Sequence, residues 1–154
     1  MILFGLAIGF LIPVGKPVSR AAEVAPPYDR PYEVRHDTIL ARAANGHFYT
    51  DALVNGKQVR FVVDTGATNI ALTLDDARTA GIQVDPSKFE VVGTGASGAV
   101  TAQVVSLAEV DLVGKRAQGV KAMVLQGLEV SLLGQNYLRQ LRSVEINADT
   151  MTLH

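Results

Sequence analysis

The stretch Phe61-Val62-Val63-Asp64-Thr65-Gly66-Ala67-Thr68 decides the fold, because it sets a carboxylate directly behind three apolar residues of a predicted strand. Such a carboxylate is costly to bury unless it is hydrogen-bonded or shares its proton. Gly66 allows a sharp turn in which backbone N–H groups can approach the carboxylate. A surface turn is normally followed by a polar strand, but here Ile70-Ala71-Leu72 continues the apolar run. Both flanks of Asp64 are therefore predicted to enter the core, which indicates a functional carboxylate.

Composition excludes several other kinds of chemistry. The chain has 154 residues, a length that favours one domain. Its 14 Lys and Arg against 15 Asp and Glu give a formal net charge of -1, so no bulk field attracts nucleic acid, and we expect no such partner. The absence of Cys excludes disulfides and thiolate metal sites, and the three scattered His form no obvious cage. We therefore expect no metal, no cofactor, and chemistry from carboxylates and hydroxyls.

The N-terminal part is predicted to lie outside the folded domain. Residues 1–15 hold an uncharged run from Met1 to Val14, which is shorter than the about 20 apolar residues that span a bilayer. No basic residue precedes this run and no clean A-x-A site follows it, so a membrane anchor, a signal segment and a buried helix all stay open. Residues 16–32 carry four of the six Pro and predict a semi-extended linker, which leaves 33–154 as the domain.

Alternation with a period of two dominates this domain and predicts an all-β, mainly antiparallel fold. Asn55-Gly56 is a strong signal for a hairpin turn with positive φ at both positions. Short helices are expected at 74–80, ended by Gly81, and at 135–141. Strands are expected at 34–41, 47–54, 57–63, 89–93, 99–107, 108–113, 117–124, 129–133, 143–147 and 150–153.

A faint internal echo relates the two halves of the domain. The segment Ala52–Lys57 resembles Val110–Lys115, because each holds the end of a strand, a Gly turn and the start of a return strand. Each return strand leads to a turn and a short helix, although the first turn carries Asp64 and the second carries Leu132-Leu133-Gly134. A duplication and chance similarity between two hairpins explain this echo equally well.

In three elements that follow one another in order, the chain resembles the retropepsin-like aspartic proteases. Asp64-Thr65-Gly66-Ala67 matches the family's Asp-Thr/Ser-Gly-Ala/Ser motif, which follows a hydrophobic strand. The Gly-rich segment Val92–Val100 matches the flap hairpin, and Leu132-Leu133-Gly134 matches two apolar residues and a Gly that open a C-terminal helix. The resemblance covers about 33–154 and implies a single-domain half-barrel with one or two short helices.

The resemblance also implies an activity and a role for each residue of the motifs. The implied activity is that of an aspartic-type endopeptidase, which hydrolyses a peptide bond with an activated water. The implied roles are catalysis for Asp64; support of the active-site loop for Thr65, Gly66 and Ala67; flap closure and substrate binding for Thr94, Gly95, Ala96, Ser97 and Gly98; and packing behind the site for Leu132, Leu133 and Gly134.

The single Asp-Thr-Gly of this chain is half of what such an enzyme needs, because two carboxylates must share one proton. The resemblance therefore implies a homodimer in which each copy contributes one Asp64. Thr65 is expected to bond across the interface. The strands at 143–147 and 151–153 either seal the dimer or form an ordinary sheet edge. The expected partners are a second copy, a peptide or protein substrate, and a membrane bound through the N-terminal segment.

Within the family, the chain is most similar to bacterial single-domain members that carry an N-terminal membrane anchor and a linker. This similarity implies a domain tethered to the inner membrane and facing the periplasm. Lys16 and Arg20, which follow the apolar run, favour a cytoplasmic domain when taken alone, so the orientation stays open.

Two other functions also stay open from the sequence. A peptide-binding or scaffold module on the same fold would never assemble the carboxylate pair. A small β-barrel ligand carrier would hold an incidental Asp-Thr-Gly turn. Of the remaining charged residues, Asp75 and Asp76 are expected to begin a helix and suit its macrodipole, Glu109 and Asp111 to face solvent from a strand, and the pair Lys115-Arg116 to lie on a solvated face.

Overall fold

The structure is a computed structural model that describes residues 36–95 and 98–154. The predicted anchor or signal segment, the predicted linker, and the flap residues Ala96 and Ser97 lie outside the described residues. Within the described part, no helix combines the length and the apolar character needed to cross a membrane.

The described residues form ten strands and two short α-helices, so the prediction of an all-β domain with one or two helices is confirmed. A 3₁₀ turn at Pro86–Lys88 was not expected. The helices are α1 at Leu74–Thr79 and α2 at Gln135–Leu138. The strands are β1 Thr38–Ala41, β2 Tyr49–Val54, β3 Lys57–Val63, β4 Ile70–Leu72, β5 Glu90–Gly95, β6 Gly98–Leu112, β7 Lys115–Leu125, β8 Ser131–Leu133, β9 Val144–Asn147 and β10 Thr150–Leu153.

Seven of these strands form one sheet in the order β2-β3-β8-β4-β7-β6-β5. A further pairing between β2 and β6, with Leu53 opposite Asp111, closes the sheet into a barrel. Phe61, Leu107 and Leu133 are fully buried inside it, as are Ile70 and Leu72 of β4. The remaining strands form a small sheet in the order β1-β10-β9.

Most strand pairs are antiparallel, but the two that shape the centre of the barrel are parallel. Strand β3 pairs in parallel with β8, and β4 pairs in parallel with β7. Between them, β4 meets β8 in antiparallel fashion, with Ala71 opposite Leu132. Each half of the internal echo thus lends its short strand to the hairpin of the other half. The echo seen in the sequence therefore extends to the topology.

The two hairpin turns of the echo have the same backbone conformation. Asn55 and Gly56 have φ values of 50° and 78°, and Val113 and Gly114 have values of 49° and 82°. Two successive positive φ values define the turn whose twist matches antiparallel strands. The turn predicted at Asn55-Gly56 is confirmed, and Val113 adopts the same conformation without the help of an Asn side chain.

Two expectations about strands need correction. The segments expected as two strands at 99–107 and 108–113 form the single long strand β6. The second candidate for sealing a dimer, 151–153, lies in β10, which is paired on one side with β1 and on the other with β9. Of the two strands that were candidates for sealing a dimer, only β9 lies at an edge of the small sheet.

Two predictions of solvated charges are wrong. Lys115 is buried at 4% exposure, and its Nζ donates to Thr38 Oγ1 at 3.0 Å and to the carbonyl of His36. The Asp111 side chain is only 12% exposed, because it accepts from the Gly114 backbone N–H and pairs with Arg116 at 2.9 Å. Asp111 therefore holds the turn between β6 and β7, and Lys115 holds the residues at the start of β1.

Candidate active site

The parallel ladder between β3 and β8 places Asp64 at the end of a buried strand. Val63 lies opposite Leu133 in register, and the Asp64 backbone N–H donates to the Leu133 carbonyl at 3.1 Å. The chain leaves the ladder directly after this bond. Both flanks of Asp64, Phe61–Val63 and Ile70–Leu72, are buried as expected from the sequence.

The Asp64 carboxylate is held by its own loop. Its Oδ1 accepts a hydrogen bond from the Gly66 backbone N–H at 2.8 Å, and the Ala67 N–H donates to the Asp64 carbonyl at 3.3 Å. The Asp64 side chain is half-buried, whereas Thr65 and Gly66 are exposed. Within 36–95 and 98–154, its Oδ2 accepts no hydrogen bond, so one oxygen is fixed and the other is available to a ligand.

The start of α2 braces this loop from behind. The backbone N–H of Gln135 donates to the Ala67 carbonyl at 2.8 Å, and that of Asn136 donates to the Thr68 carbonyl at 3.0 Å. The Gln135 side chain adds a bond from Nε2 to the Thr65 carbonyl at 2.8 Å. Three carbonyls of the loop, those of Thr65, Ala67 and Thr68, therefore accept hydrogen bonds from the start of α2, where backbone N–H groups have no partner within the helix.

Gly134 allows this close approach. A Cβ added to Gly134 would lie 2.6 Å from the carbonyl carbon of Asn69 and 2.9 Å from the oxygen of Ala67, and closer still to the Asn69 oxygen. Its φ of -94° is open to any residue, so the requirement is for space and not for an unusual backbone. The predicted packing of Leu132-Leu133-Gly134 behind Asp64 thus has a specific steric basis.

Asn136 is a site residue that sequence reasoning missed. Its Oδ1 accepts from the Ile70 backbone N–H at 2.9 Å and its Nδ2 donates to the Lys121 carbonyl at 2.6 Å. One side chain thereby connects β4, β7 and α2. Its position two residues after Gly134, inside the motif that opens the helix, was the available signal.

The described residues of the flap predicted at Thr94–Gly98 lie at the paired ends of β5 and β6. Thr94 lies opposite Ala99 and Gly95 opposite Gly98, with a register shift between Val91 and Gly93. Val91 is exposed at 67%, which leaves apolar surface on this arm. The described flap residues, Thr94, Gly95 and Gly98, do not line the cleft beside Asp64.

That cleft has a volume of about 370 Å³ and opens directly on Asp64. Three segments of the chain line it: the approach to β2, the end of β3, and the segment that leads into β8. Its lining residues are Asn45, His47, Tyr49, Val62, Val63, Asp64, Glu129, Val130 and Leu132.

Comparison with known proteins identifies the architecture. Residues 50–140 match the family model described as "gag-polyprotein putative aspartyl protease". A retropepsin-like aspartic protease from Rickettsia conorii is 36% identical, with a TM-score of 0.65 over 77% of this chain and 90% of that one. This chain belongs to the retropepsin-like aspartic protease family. The EIAV protease, at 17% identity and a TM-score of 0.52, shares the fold of this retropepsin-like chain.

Two curated relatives are longer than this retropepsin-like chain. An uncharacterized protein of Rickettsia prowazekii strain Madrid E is 35% identical over 119 residues, which are 77% of this chain and 51% of that protein. An uncharacterized Sinorhizobium protein from the cobV 5′ region is 35% identical over 123 residues, which are 79% and 53%. The chain thus spans about half the length of the curated relatives it matches. Family and fold are established, while the roles of single residues stay predictions.

Proposed function

We propose that the chain is an aspartic endopeptidase whose active site forms when two copies each contribute one Asp64. The observation that carries this proposal is the half-buried Asp64 carboxylate, which has one oxygen bound to Gly66 and stands at the mouth of a cleft. With a single Asp-Thr-Gly in the sequence, each chain supplies half of a carboxylate pair.

The exposed part of the active-site loop supports an isologous contact. The Thr65 backbone carbonyl is bound by Gln135, whereas the Thr65 hydroxyl has no hydrogen bond within the described residues. Around a two-fold axis, the two loops face each other, and each hydroxyl can donate to the opposite backbone. Such a bond fixes both carboxylates in one plane.

The pair performs general acid and base catalysis. Like charges about 3 Å apart cannot both ionise, so one Asp64 is protonated and the other is not. The ionised carboxylate takes a proton from a water, whose oxygen adds to the peptide carbon, while the protonated one donates to the carbonyl oxygen. The C–N bond then breaks as the carboxyl that took the proton from water gives it to the nitrogen, while a hydroxyl of the intermediate returns a proton to the other carboxylate. The two apparent pKa values belong to the pair.

The flap and the small sheet have supporting roles in this proposal. The β5–β6 hairpin closes over an extended substrate and pairs with its backbone. The outer edge of β9, where Ile146 is 54% exposed, is free to extend a partner's sheet, because β10 is already paired on both sides. We also propose that residues 1–15 tether the chain to a membrane, which raises the effective concentration of copies.

A subunit-mixing experiment tests the shared site. The Asp64→Asn variant of the full chain should not cleave a peptide library at mildly acidic pH, while Asp75→Asn, whose carboxylate is 93% exposed, should keep full activity. In an equal mixture of wild type and D64N that exchanges subunits, only about a quarter of the dimers hold two Asp64 residues, against about half of the chains if each acts alone.

Activity that falls with the square of the wild-type fraction supports the shared site. Activity that stays proportional to that fraction overturns it in favour of a self-sufficient monomer. A full chain that sediments as a monomer even with a peptidic transition-state inhibitor, and cleaves no peptide, supports a binding or scaffold module instead.

A further inference from the structure

The floor of the cleft beside Asp64 is the outward face of three neighbouring strands. Tyr49 lies opposite Val62, and Val62 lies opposite Leu132. Residues opposite each other in a ladder project to the same face of the sheet. Val62 is only 7% exposed but lies outside the hydrophobic core cluster, which contains its neighbours Phe61 and Val63. The cleft therefore has an apolar floor that is distinct from the barrel interior.

One wall of the cleft is an aromatic ring held in place by its neighbours. The Tyr49 hydroxyl accepts from Asn45 Nδ2 at 2.7 Å. The guanidinium carbon of Arg60 lies 5.0 Å from the Tyr49 ring centroid, and the His47 ring meets it edge-on at 6.4 Å. The ring is thus oriented before any ligand arrives, so little conformational entropy is lost when a side chain packs on it.

The other wall carries a carboxylate that the described residues do not neutralise. Glu129 lies in the segment before β8, lines the cleft and is exposed, and no described cation is within ion-pair distance of it. Arg60 does not line the cleft, and Asp51 lies opposite it in the ladder. The lining thus contains two carboxyl side chains, those of Glu129 and Asp64, and one imidazole, that of His47.

We infer that this cleft selects a substrate side chain with an apolar stem and a positive head group, Lys or Arg, and that Glu129 determines this selectivity. The inference rests on the proposed function and adds the substrate class to it. The stem packs on the floor formed by Val62 and Leu132 and against Tyr49. The head group reaches the rim, where it pairs with the Glu129 carboxylate.

The symmetry of the proposed dimer doubles this selectivity. An isologous pair presents the same cleft twice, once on each side of the bond that is cleaved. Basic residues are therefore favoured at two positions that flank the scissile bond symmetrically, one for each Glu129. A substrate with both should be cleaved faster than one with either alone.

A peptide series with one position varied at a time tests this inference. A peptide cleaved by the full chain is resynthesised with Lys, norleucine or Glu at each position around the scissile bond, and kcat/KM is measured. Norleucine keeps a linear apolar stem and removes the charge. Wild type should favour Lys over norleucine by about three- to fivefold at one position on each side, and 1 M salt should remove most of this preference.

Substitutions of Glu129 assign the effect to its carboxylate. Glu129→Gln should abolish the preference for Lys, so that kcat/KM for the Lys peptides equals that for the norleucine peptides. Glu129→Lys should favour Glu in place of Lys. The matched control Glu109→Gln makes the same change of charge outside the cleft lining and should keep the wild-type preference.

Binding separates failure of this inference from failure of the proposed function. Fluorescent versions of the same peptides are titrated into D64N and into D64N combined with E129Q. A Lys preference in binding that disappears with E129Q supports the inference, whether or not any peptide is hydrolysed. If no peptide is hydrolysed, the proposed peptidase activity is refuted, but the inference about the cleft is not. Equal binding and cleavage of Lys and norleucine peptides, or a preference that survives E129Q, overturns the inference.

Discussion

Replacing Gly134 with Ala should displace the active-site loop, because the loop backbone occupies the space that a side chain would need. The new Cβ would lie 2.6 Å from the Asn69 carbonyl carbon and closer still to the Asn69 oxygen, and ordinary contact begins at 3.4 Å, so the backbone must move by at least about 0.8 Å. All three neighbouring atoms, two of Asn69 and one of Ala67, belong to backbone, so no rotamer change can relieve the overlap.

The cost of this movement has two parts. Overpacking of a tight site costs about 1–3 kcal/mol. The hydrogen bonds from Gln135 and Asn136 to the loop carbonyls would stretch or break, at about 0.5–1.5 kcal/mol each. We expect the free energy of unfolding to fall by about 2–4 kcal/mol, which is a large share of a typical domain's stability. A misplacement near 1 Å should also lower kcat by about 100-fold.

Urea unfolding followed by far-ultraviolet circular dichroism measures the first effect, since the chain has no Trp to report by fluorescence. The control is Gly93→Ala, where an added Cβ meets nothing within 4 Å. This control should unfold within about 0.5 kcal/mol of wild type. If Gly134→Ala is as stable as Gly93→Ala, the steric account of the Leu-Leu-Gly element is wrong.

Two further substitutions address buried hydrogen bonds. Ser131 is fully buried, and its hydroxyl donates to Asp76 Oδ2 at 2.6 Å and accepts from the Thr73 N–H at 3.1 Å, so Ser131→Ala should cost about 1–3 kcal/mol in urea unfolding. The buried Tyr137 hydroxyl donates to the Lys115 carbonyl at 2.6 Å, and burial raises its pKa well above the usual range. The unfolded chain therefore releases this proton first, stability should fall as pH rises above about 10, and Tyr137→Phe should remove this part of the slope.

Controls for both substitutions come from the same chain. Ser106→Ala changes an exposed Ser on β6 and should leave the free energy of unfolding within about 0.5 kcal/mol of wild type. Tyr49→Phe removes a hydroxyl outside the core and should keep the alkaline slope. A Ser131 variant as stable as the Ser106 variant, or an unchanged slope in Tyr137→Phe, contradicts the respective account.

The features that sequence predicted well are those specified by local chemistry. The turn at Asn55-Gly56 follows from two residues that tolerate positive φ, and α1 ends before Gly81, which has a φ of 73°. The burial of both flanks of Asp64 follows from the apolar runs on either side. In each case, a few adjacent residues hold all the information that the prediction needs.

The parallel pairs at the centre of the barrel could not be predicted in this way. Strands β4 and β8 are three residues long, and an apolar run of that length fits either direction of pairing. Their direction is set by contacts between the two halves of the domain. The internal echo indicated that each half has a hairpin followed by a turn and a helix, but it did not indicate that each short strand pairs with the hairpin of the other half.

The length of β6 shows how a break in alternation misleads. Ala102 and Gln103 are both buried, and the next fully buried residue is Leu107, so the period of two loses its phase within one strand. This strand pairs with β5, β7 and β2 along its length, and its inward face changes as it bends around the barrel. A change of phase therefore indicated curvature, not a turn.

Within the candidate site, residue types were easier to predict than partners. Asp64 is identifiable because a carboxylate behind a buried strand is costly. Asn136 and Lys115, by contrast, are polar residues whose usefulness depends on carbonyls and hydroxyls of distant segments. Nothing adjacent to them in the sequence specifies those partners.

Strand β10 is paired on both sides with strands of its own chain, so each copy forms this sheet without a partner. A pair of such copies can join and part without unwinding, since neither must lend that strand to the other. Under the proposed shared site, a single chain is folded but inactive, because it holds only one Asp64. The local concentration of chains, and not a refolding step, then limits the rate of hydrolysis.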